Sequence, residues 1–170
     1  MNGSKKCFAQ VIGGFNTRLV IPVYQRNYDW KPENCARLFD DLIEMVKDGR
    51  EEHFFGSIVS QTPHGERVII DGQQRITTVF LLFAAIAKQL KDGVVTSENP
   101  HRADMIERGY LVDEWARDEQ KLRLKLIKSD SAALEAVLAD ACPQDPSLPA
   151  PELVMSSSVT QNYLYFKDRL

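Results

Sequence analysis

The segment Val68-Ile-Ile-Asp-Gly-Gln-Gln-Arg-Ile-Thr-Thr has the residue types and the spacing of an anion-binding site. A run of β-forming residues leads through one glycine, Gly72, directly into an amphipathic helical pattern. Backbone N–H groups at a helix start and the positive end of the helix dipole favour a phosphate there, and glycine lets the backbone approach it closely. Arg75 is a candidate for a bidentate contact with phosphate oxygens.

The polar residues beside Gly72 are candidates for phosphate chemistry. Asp71 is a candidate Mg²⁺ ligand, and Gln73 or Gln74 is a candidate to position an attacking water, as a glutamine does in some GTPases. In the alternative, Asp71 caps the helix, Gln74 completes a capping box and Arg75 is solvated. Two glutamines and an arginine in one turn are more than capping needs, which favours the anion site.

A second cluster, Ile21-Pro-Val-Tyr-Gln-Arg-Asn-Tyr-Asp-Trp, follows an early β-rich run. Its aromatic residues, Tyr24, Tyr28 and Trp30, are interleaved with Gln25 and Arg26. Such a mixture can stack on a base and bind phosphate.

The same cluster has a structural alternative. Tyr28 and Trp30 would pack under the following helix, and Arg26 would pair with Asp29 or another acid. The cluster alone favours this structural interpretation, and the neighbouring anion-site motif shifts the balance towards a binding role.

The segment Lys121-Leu-Arg-Leu-Lys-Leu alternates strictly, which predicts a strand with leucines inward and cations outward. Lys121, Arg123 and Lys125 are therefore candidate DNA-backbone contacts. The favoured alternative is that these cations prevent edge-to-edge pairing of the strand. We expect the decisive phosphate or phosphorothioate contact elsewhere, in one crevice shared by Arg26 and Arg75.

The elements that must position these residues alternate between helices and strands, which indicates a mixed α/β chain. Pro22 places the first strand at a sheet edge or marks its end. The predicted elements are a helix at 4–12, a strand at 17–23, a helix from Pro32 to Gly49, a hairpin of 54–61 with 66–70, a long helix ending at Gly93, a short helix at 103–108, a strand at 121–126 with 109–115 as its hairpin partner, a helix at 131–141 and a last helix from 156 onwards.

Composition indicates an ordinary globular protein. The chain has 170 residues, of which 44% are apolar and 26% are charged, and its net charge of −3 gives no argument for nucleic-acid binding. Three scattered cysteines argue against a disulfide framework and a zinc site. The first apolar run is too short for a signal peptide or a membrane span, so we expect a cytoplasmic protein with no membrane partner.

Prolines mark a boundary near the end of the chain, since four of the eight fall between Pro143 and Pro151. The predicted division is a domain at 1–142, a proline-rich loop at 143–155 and the start of a following helical region at 156–170. The last helix carries Val159, Tyr163 and Phe166 on one face and has no stop signal. We therefore expect an N-terminal fragment of a longer protein.

Three ordered segments resemble signatures of the N-terminal domain of GmrSD-type, modification-dependent restriction endonucleases. They are Pro22-Val-Tyr-Gln-Arg-Asn-Tyr-Asp-Trp, Phe54-Phe-Gly-Ser-Ile-Val and Ile70-Asp-Gly-Gln-Gln-Arg-Ile-Thr-Thr. A later segment, Ser158-Val-Thr-Gln-Asn-Tyr-Leu-Tyr-Phe, is similar to the following helix of that family. The resemblance covers most of the chain, and its most specific part is Asp-Gly-Gln-Gln-Arg.

The resemblance implies a ParB and sulfiredoxin-like α/β fold, with a small mixed sheet, flanking helices and a helical C-terminal extension. It also implies that residues 1–142 bind and hydrolyse a nucleoside triphosphate with Mg²⁺. The implied catalytic residues are Asp71, Gln73, Gln74 and Arg75, with Asp71 also as the metal ligand. The implied nucleotide-binding residues are Gly72, Thr77, Tyr24, Gln25 and Arg26.

In this family, triphosphate hydrolysis regulates DNA cleavage by a separate C-terminal HNH domain, and some relatives sense phosphorothioated DNA. The resemblance therefore implies modified DNA as a partner, together with an HNH nuclease domain in the full-length protein or in a partner chain. Tyr24, Arg26 and the three strand cations are the candidate DNA contacts.

One departure from a complete nuclease is the absence of a His-rich motif, since His53, His64 and His101 are scattered. We therefore expect that this 170-residue chain does not cut DNA by itself. The first hypothesis is a Mg²⁺-dependent nucleoside triphosphatase that controls restriction of modified phage or foreign DNA. The second is a non-hydrolysing module in which nucleotide or DNA acts as a conformational switch.

Overall fold

The computed structural model describes residues 4–13, 18–63, 66–116, 121–143 and 152–170. Helices and strands alternate along this part of the chain, so the predicted mixed α/β class is confirmed. The elements are α1 (Phe8–Ile12), β1 (Arg18–Val20), α2 (Pro32–Lys47), β2 (Val59–Gln61), β3 (Glu66–Asp71), α3 (Gln73–Lys91), α4 (Arg102–Ile106), a π-helix (Glu107–Leu111), β4 (Leu124–Lys125), α5 (Lys128–Ala141) and α6 (Ser158–Arg169).

The described strands form one mixed sheet in the order β2-β3-β1-β4. Strand β1 pairs in parallel with both β3 and β4, whereas β2 is antiparallel to β3. Three carboxyl ends therefore meet at one edge of the sheet, and helices α3 and α5 begin there, directly after β3 and β4. In parallel sheets, this edge is where ligands commonly bind.

Helix α3 lies at the centre of the molecule and contacts α4, α5, α6 and the π-helix. It is buried around most of its circumference, as expected for a helix that is apolar on nearly all sides. The core joins residues from the sheet, from α3 and from the last helix, among them Leu19, Ile69, Leu124, Phe80, Tyr163 and Phe166. The segment 156–170 thus shares the core of the preceding residues.

Helix boundaries follow local signals closely. Helix α2 has Pro32 at its first position, and Gly49, with a φ of +64°, follows its end. Helix α6 begins after Ser157, whose Oγ accepts a hydrogen bond of 3.2 Å from the Val159 N–H, as the serine-rich start predicts. Helix α1 begins only at Phe8, so the predicted start at Ser4 is wrong.

Several predicted strands are longer than the observed ones. β1 covers only Arg18–Val20 and is an interior strand, so Pro22 marks its end and not a sheet edge. The predicted strand at 54–61 is confirmed only for Val59–Gln61. The residues before it form a loop that packs against the start of α3.

The second half departs further from the predictions. The predicted helix at 103–108 is α4 followed by the π-helix, and α5 begins at Lys128, before the predicted Ser131. Residues 144–151 of the predicted proline-rich loop lie outside the described residues, and the division of the chain at 142 and 155 stays a prediction.

None of the helices in the described part of the chain is long and apolar enough to cross a membrane.

The alternating segment around β4 contains the clearest correction. Leu122 forms an antiparallel bridge with Val112, as the predicted hairpin requires. Arg123, however, is only 8% exposed, and its guanidinium donates to the Val112 and Arg108 carbonyl oxygens at 3.4 and 3.2 Å. The prediction that Arg123 points outward is wrong because backbone acceptors, and the Asp113 carboxylate at 4.0 Å, compensate its buried charge.

Candidate functional site

The start of α3 has no side-chain cap. Its N-cap residue is Gly72, which has a φ of +96°, and a Cβ there would lie 3.1 Å from Cγ1 of Ile58. Glycine is thus required both by the backbone conformation and by the close packing. The alternative in which Asp71 and Gln74 form a capping box is wrong, and the N–H groups of the first turn face the carboxyl edge of the sheet.

The Arg75 guanidinium lies on the backbone of the preceding loop. Its Nη1 donates to the Phe55 carbonyl oxygen at 3.4 Å, and its Nη2 lies 3.5 Å from Oδ2 of Asp71. A Cβ on Gly56, where φ is +94°, would lie 1.8 Å from Nη1. Gly56 therefore provides the space that holds Arg75, whose side chain is 26% exposed, at the start of α3.

The loop after β1 is fixed against the same edge by two glutamines. Gln25 donates from Nε2 to the Ile70 carbonyl oxygen at 2.8 Å. Gln74 accepts from the Asp29 N–H at 3.1 Å and donates to the Asn27 carbonyl oxygen at 2.9 Å. Because both polar atoms of the Gln74 amide bind this loop, Gln73 is the better placed of the two candidates for positioning a water.

Below the loop, a buried chain of hydrogen bonds links α3 to α6. Asn162 Nδ2 donates to the Trp30 carbonyl oxygen and to the Tyr28 hydroxyl, at 2.7 and 2.9 Å. The Tyr28 hydroxyl donates to Oγ1 of Thr78 at 2.7 Å, which donates to the Gln74 carbonyl oxygen at 2.8 Å. Burial raises the pKa of Tyr28, so its hydroxyl stays protonated as a donor. Tyr28 is thus a structural residue beneath the site.

A small cavity lies between the start of α3 and the start of α5. Its polar lining includes Arg26, Gln73, Thr77 and Asp130, and its volume of about 10 Å³ is the space of one water molecule. Gln74 and Tyr28 also line the cavity, together with apolar residues that follow β1 and β4, namely Ile21, Leu126 and Ile127. A nucleotide is much larger than this cavity, so the cavity could not enclose one.

The remaining predicted nucleotide residues differ in exposure. Tyr24 is 69% exposed at the tip of the loop, and Arg26 is exposed and ion-paired with Asp29 at 3.0 Å, as the structural alternative predicts. Thr77 is buried, and its hydroxyl donates to the Gln73 carbonyl oxygen at 2.8 Å. Tyr24 and Arg26 are therefore accessible to a ligand, whereas Thr77 forms part of the cavity wall.

Arg26 and Arg75 flank the helix start. Arg26 lines the cavity beside Gln73, whereas Arg75 lies against Phe55 and Gly56. Positions 73 and 75 point about 200° apart around a helix. An anion at the first-turn amides would therefore lie between two guanidinium groups, rather than in one crevice formed by both.

Among the described residues that line the cavity, none is a cation of the β4 segment. Lys125 is exposed at the end of β4, Lys121 is half-buried, and Arg123 is committed to backbone carbonyl groups. Lys121 and Lys125 as DNA contacts stay predictions.

The sequence predictions assigned no role to three residues that shape the site: Gly56, Asp130 and Asn162. For the two polar residues, a signal was present. Asp130 precedes Leu134 and Val137 at helical spacing, and Asn162 lies on the face of Val159 and Phe166. A polar residue on an otherwise apolar helix face indicates a buried hydrogen bond or a functional group.

The sequence of this chain matches a family model, described as the GmrSD restriction endonuclease, N-terminal domain, over residues 8–168. This match contains every residue of the site described above. Among curated proteins, none matches the chain. Because the family model covers nearly the whole sequence, the chain belongs to the GmrSD restriction endonuclease N-terminal domain family.

Proposed function

We propose that this chain binds a nucleoside triphosphate at the start of α3 and hydrolyses it, as the regulatory module of a restriction endonuclease that acts on modified DNA. The observation that carries the proposal is the uncapped helix start after Gly72, flanked by Arg26 and Arg75 at the carboxyl edge of three parallel strands. Family membership indicates a role in restriction and defence, and thus a DNA-directed function.

The electrostatics of this edge favour a polyanion. Helix α5 also begins here without a side-chain cap, after Ile127. The positive ends of two helix dipoles are therefore close to Arg26 and to the exposed Lys128 at the first position of α5. A cation at a helix N-terminus is unfavourable by itself, and a bound phosphate would offset this repulsion.

Each residue of the motif has a distinct place in this proposal. Arg75, held by the Phe55 carbonyl group and by Gly56, binds phosphate oxygens without having to be ordered first. The amides after Gly72 bind the same phosphate, and Gln73 positions the attacking water. Gln74 keeps the loop of residues 27–29 in place and so maintains the shape of the site.

Asp71 is the residue that would hold Mg²⁺. Its carboxylate is exposed beside the helix start, and no group of three potential metal-ligating side chains occurs in the described part of the chain. This donor set fits Mg²⁺ in nucleotide sites, where one or two carboxylates bind it and phosphates supply other ligands. When bound, the ion would neutralise charge that develops on the phosphates.

A non-hydrolysing switch remains the second candidate function, since the uncapped helix start and its two flanking arginines would account for phosphate binding without hydrolysis. Steady-state turnover by the purified chain, measured with Mg²⁺ and each common nucleoside triphosphate, separates the two. Production of nucleoside diphosphate and phosphate supports hydrolysis. Saturable binding with no turnover would support the switch.

The binding site itself is tested with Arg75→Ala. Loss of one charge-assisted contact costs about 1.5 to 3 kcal/mol, so triphosphate binding measured by calorimetry should weaken about 10-fold or more. The matched control is Arg50→Ala, which removes an arginine that is ion-paired with Asp48 after α2. Unchanged affinity in Arg75→Ala would show that the phosphate does not bind here.

We further propose that modified DNA contacts the exposed loop tip, through Tyr24 and Arg26, and that an HNH nuclease domain in the same or a partner chain performs cleavage. Arg26→Ala should weaken binding of a modified duplex and reduce the salt dependence of binding by about one counterion. Titration with modified and unmodified duplexes over a salt series measures this. Normal DNA binding by Arg26→Ala would place the DNA on another surface.

A further inference from the structure

We propose that Asp130 is a further catalytic residue of this site, whose carboxylate holds the attacking water and accepts its proton. This role rests on the proposed hydrolysis of a triphosphate at the start of α3. It adds a residue from a different helix, α5, which none of the sequence motifs contains.

Asp130 faces the proposed phosphate site from a neighbouring helix. It lies in the first turn of α5 and lines the same cavity as Arg26 and Gln73. The cavity has the volume of about one water molecule, and a bound water needs two to four polar partners. These three side chains provide an acceptor, a cationic donor and an amide beside the helix start that would bind the terminal phosphate.

Asp130 is also almost fully buried. Its residue surface is only 7% exposed, and Oδ2 accepts a hydrogen bond of 2.7 Å from the Tyr28 N–H. This bond orients the carboxylate, and burial raises its pKa despite the hydrogen bond, which makes it a better proton acceptor. A buried carboxylate with only a backbone-orienting role costs stability, since an amide could accept the same bond.

In the proposed step, the water oxygen forms a bond to the terminal phosphorus, while one water proton moves to the Asp130 carboxylate. The bond from that phosphorus to the bridging oxygen breaks, and its electron pair leaves with the nucleoside diphosphate. Asp130 then releases the proton to solvent, and inorganic phosphate departs.

The test is Asp130→Asn, which keeps an oxygen acceptor for the Tyr28 N–H and removes the proton acceptor. We expect kcat for the triphosphate to fall at least about 100-fold, while triphosphate affinity and folding are retained. The matched control is Asp140→Asn, the same change on the same helix. Asp140 accepts from the Tyr163 hydroxyl at 2.6 Å and does not line the cavity, so kcat should be unchanged.

The outcomes distinguish this inference from the proposed function. Turnover by the unaltered chain together with full turnover by Asp130→Asn would overturn the role of Asp130 alone. No turnover by the unaltered chain would overturn hydrolysis and, with it, this role. An equal loss of binding and kcat in Asp130→Asn would show a contribution to affinity and also contradict the proposal. Melting curves of both variants confirm that the measurements compare folded proteins.

Discussion

Arg75 at the start of α3 and Arg123 just before β4 are both candidate phosphate contacts in the sequence, yet the two side chains have different partners. Arg75 is held by one carbonyl group and an exposed carboxylate, over the open backbone of Gly56. Arg123 is buried and donates to two carbonyl groups next to the partly buried Asp113. The first guanidinium keeps donors for a ligand, whereas the second completes the hydrogen bonding of its own fold.

Cations in such a chain are therefore better interpreted from their partners than from their spacing. Alternation along a short strand predicts which side chains share a face. It does not predict which backbone acceptors those side chains meet, because the acceptors belong to other segments. An arginine beside a positive-φ glycine and an uncapped helix start has a ligand-binding geometry. Substitutions at the two places should consequently change different properties of the protein, binding and turnover at α3 and stability at β4.

The largest effect is expected at Gln73. Gln73→Ala should lower triphosphate turnover about 100-fold with little change in stability, because this side chain is proposed to position water. Gln74→Ala should instead lower the free energy of unfolding by about 1 to 3 kcal/mol, since it leaves the Asn27 carbonyl and the Asp29 N–H without partners. Turnover assays and urea unfolding measure both. The same phenotype in both variants would contradict the division of roles.

A smaller effect is expected at Gly56. Gly56→Ala places a methyl group 1.8 Å from the Arg75 Nη1, which displaces the guanidinium and should weaken triphosphate binding about 10-fold, as loss of the arginine contact would. Gly49→Ala is the matched control, because Gly49 also has positive φ but a methyl group there would meet no other atom within 4 Å. Both variants carry backbone strain of about 1 kcal/mol. Equal binding losses would mean that strain, and not Arg75, is responsible.

At β4, the expected change is in stability. Arg123→Ala should lower the free energy of unfolding by about 1 to 3 kcal/mol because two carbonyl groups lose their donor. Lys125→Ala, at the exposed neighbouring position, should change it by less than about 0.5 kcal/mol. Triphosphate affinity should be the same in both. A stable Arg123→Ala protein with weakened triphosphate or DNA binding would show that Arg123 serves a ligand.

The smallest effect concerns pH and Asp130. Burial raises the pKa of this carboxyl in the folded chain, so its ionisation costs stability as pH rises above the unfolded value of about 4. Asp130→Asn should therefore be more stable than the unaltered chain at pH 7, by a margin that shrinks as pH falls to 4. Melting temperatures over this range test the sign. A margin that grows towards low pH would mean that the folded protein favours the ionised carboxylate.

Sequence signals predicted most helices, because those signals are local. Pro32, Gly93 and Ser157 each mark a helix end through their own backbone or side-chain chemistry. The predicted positions of Gly72 and Arg75 at a helix start are also confirmed. The contact between Gly56 and Arg75 was not predictable, since it joins a loop and a helix on either side of a hairpin.

The strand predictions were weaker for a related reason. Pairing decides where a strand ends, and β1 has partners from two distant segments, β3 and β4. The alternating pattern predicted the wrong orientation for the Arg123 side chain. Backbone carbonyl groups from another segment bind its guanidinium and override the two-residue period of the strand. The likeness to ParB and sulfiredoxin folds, the hydrolysis of a triphosphate and the DNA contacts stay predictions.

Whether a phosphate binds at the start of α3 is decided by titrating the ¹⁵N-labelled chain with Mg²⁺ and a nucleoside triphosphate and following its amide resonances. We expect saturable shifts for the amides of Gln73, Gln74 and Arg75, with smaller ones at Asp130, and no such pattern at Lys125. The same titration of Arg75→Ala should require about 10-fold more nucleotide. Shifts centred on β4, or none at all at triphosphate concentrations of several millimolar, would contradict a phosphate site at the start of α3.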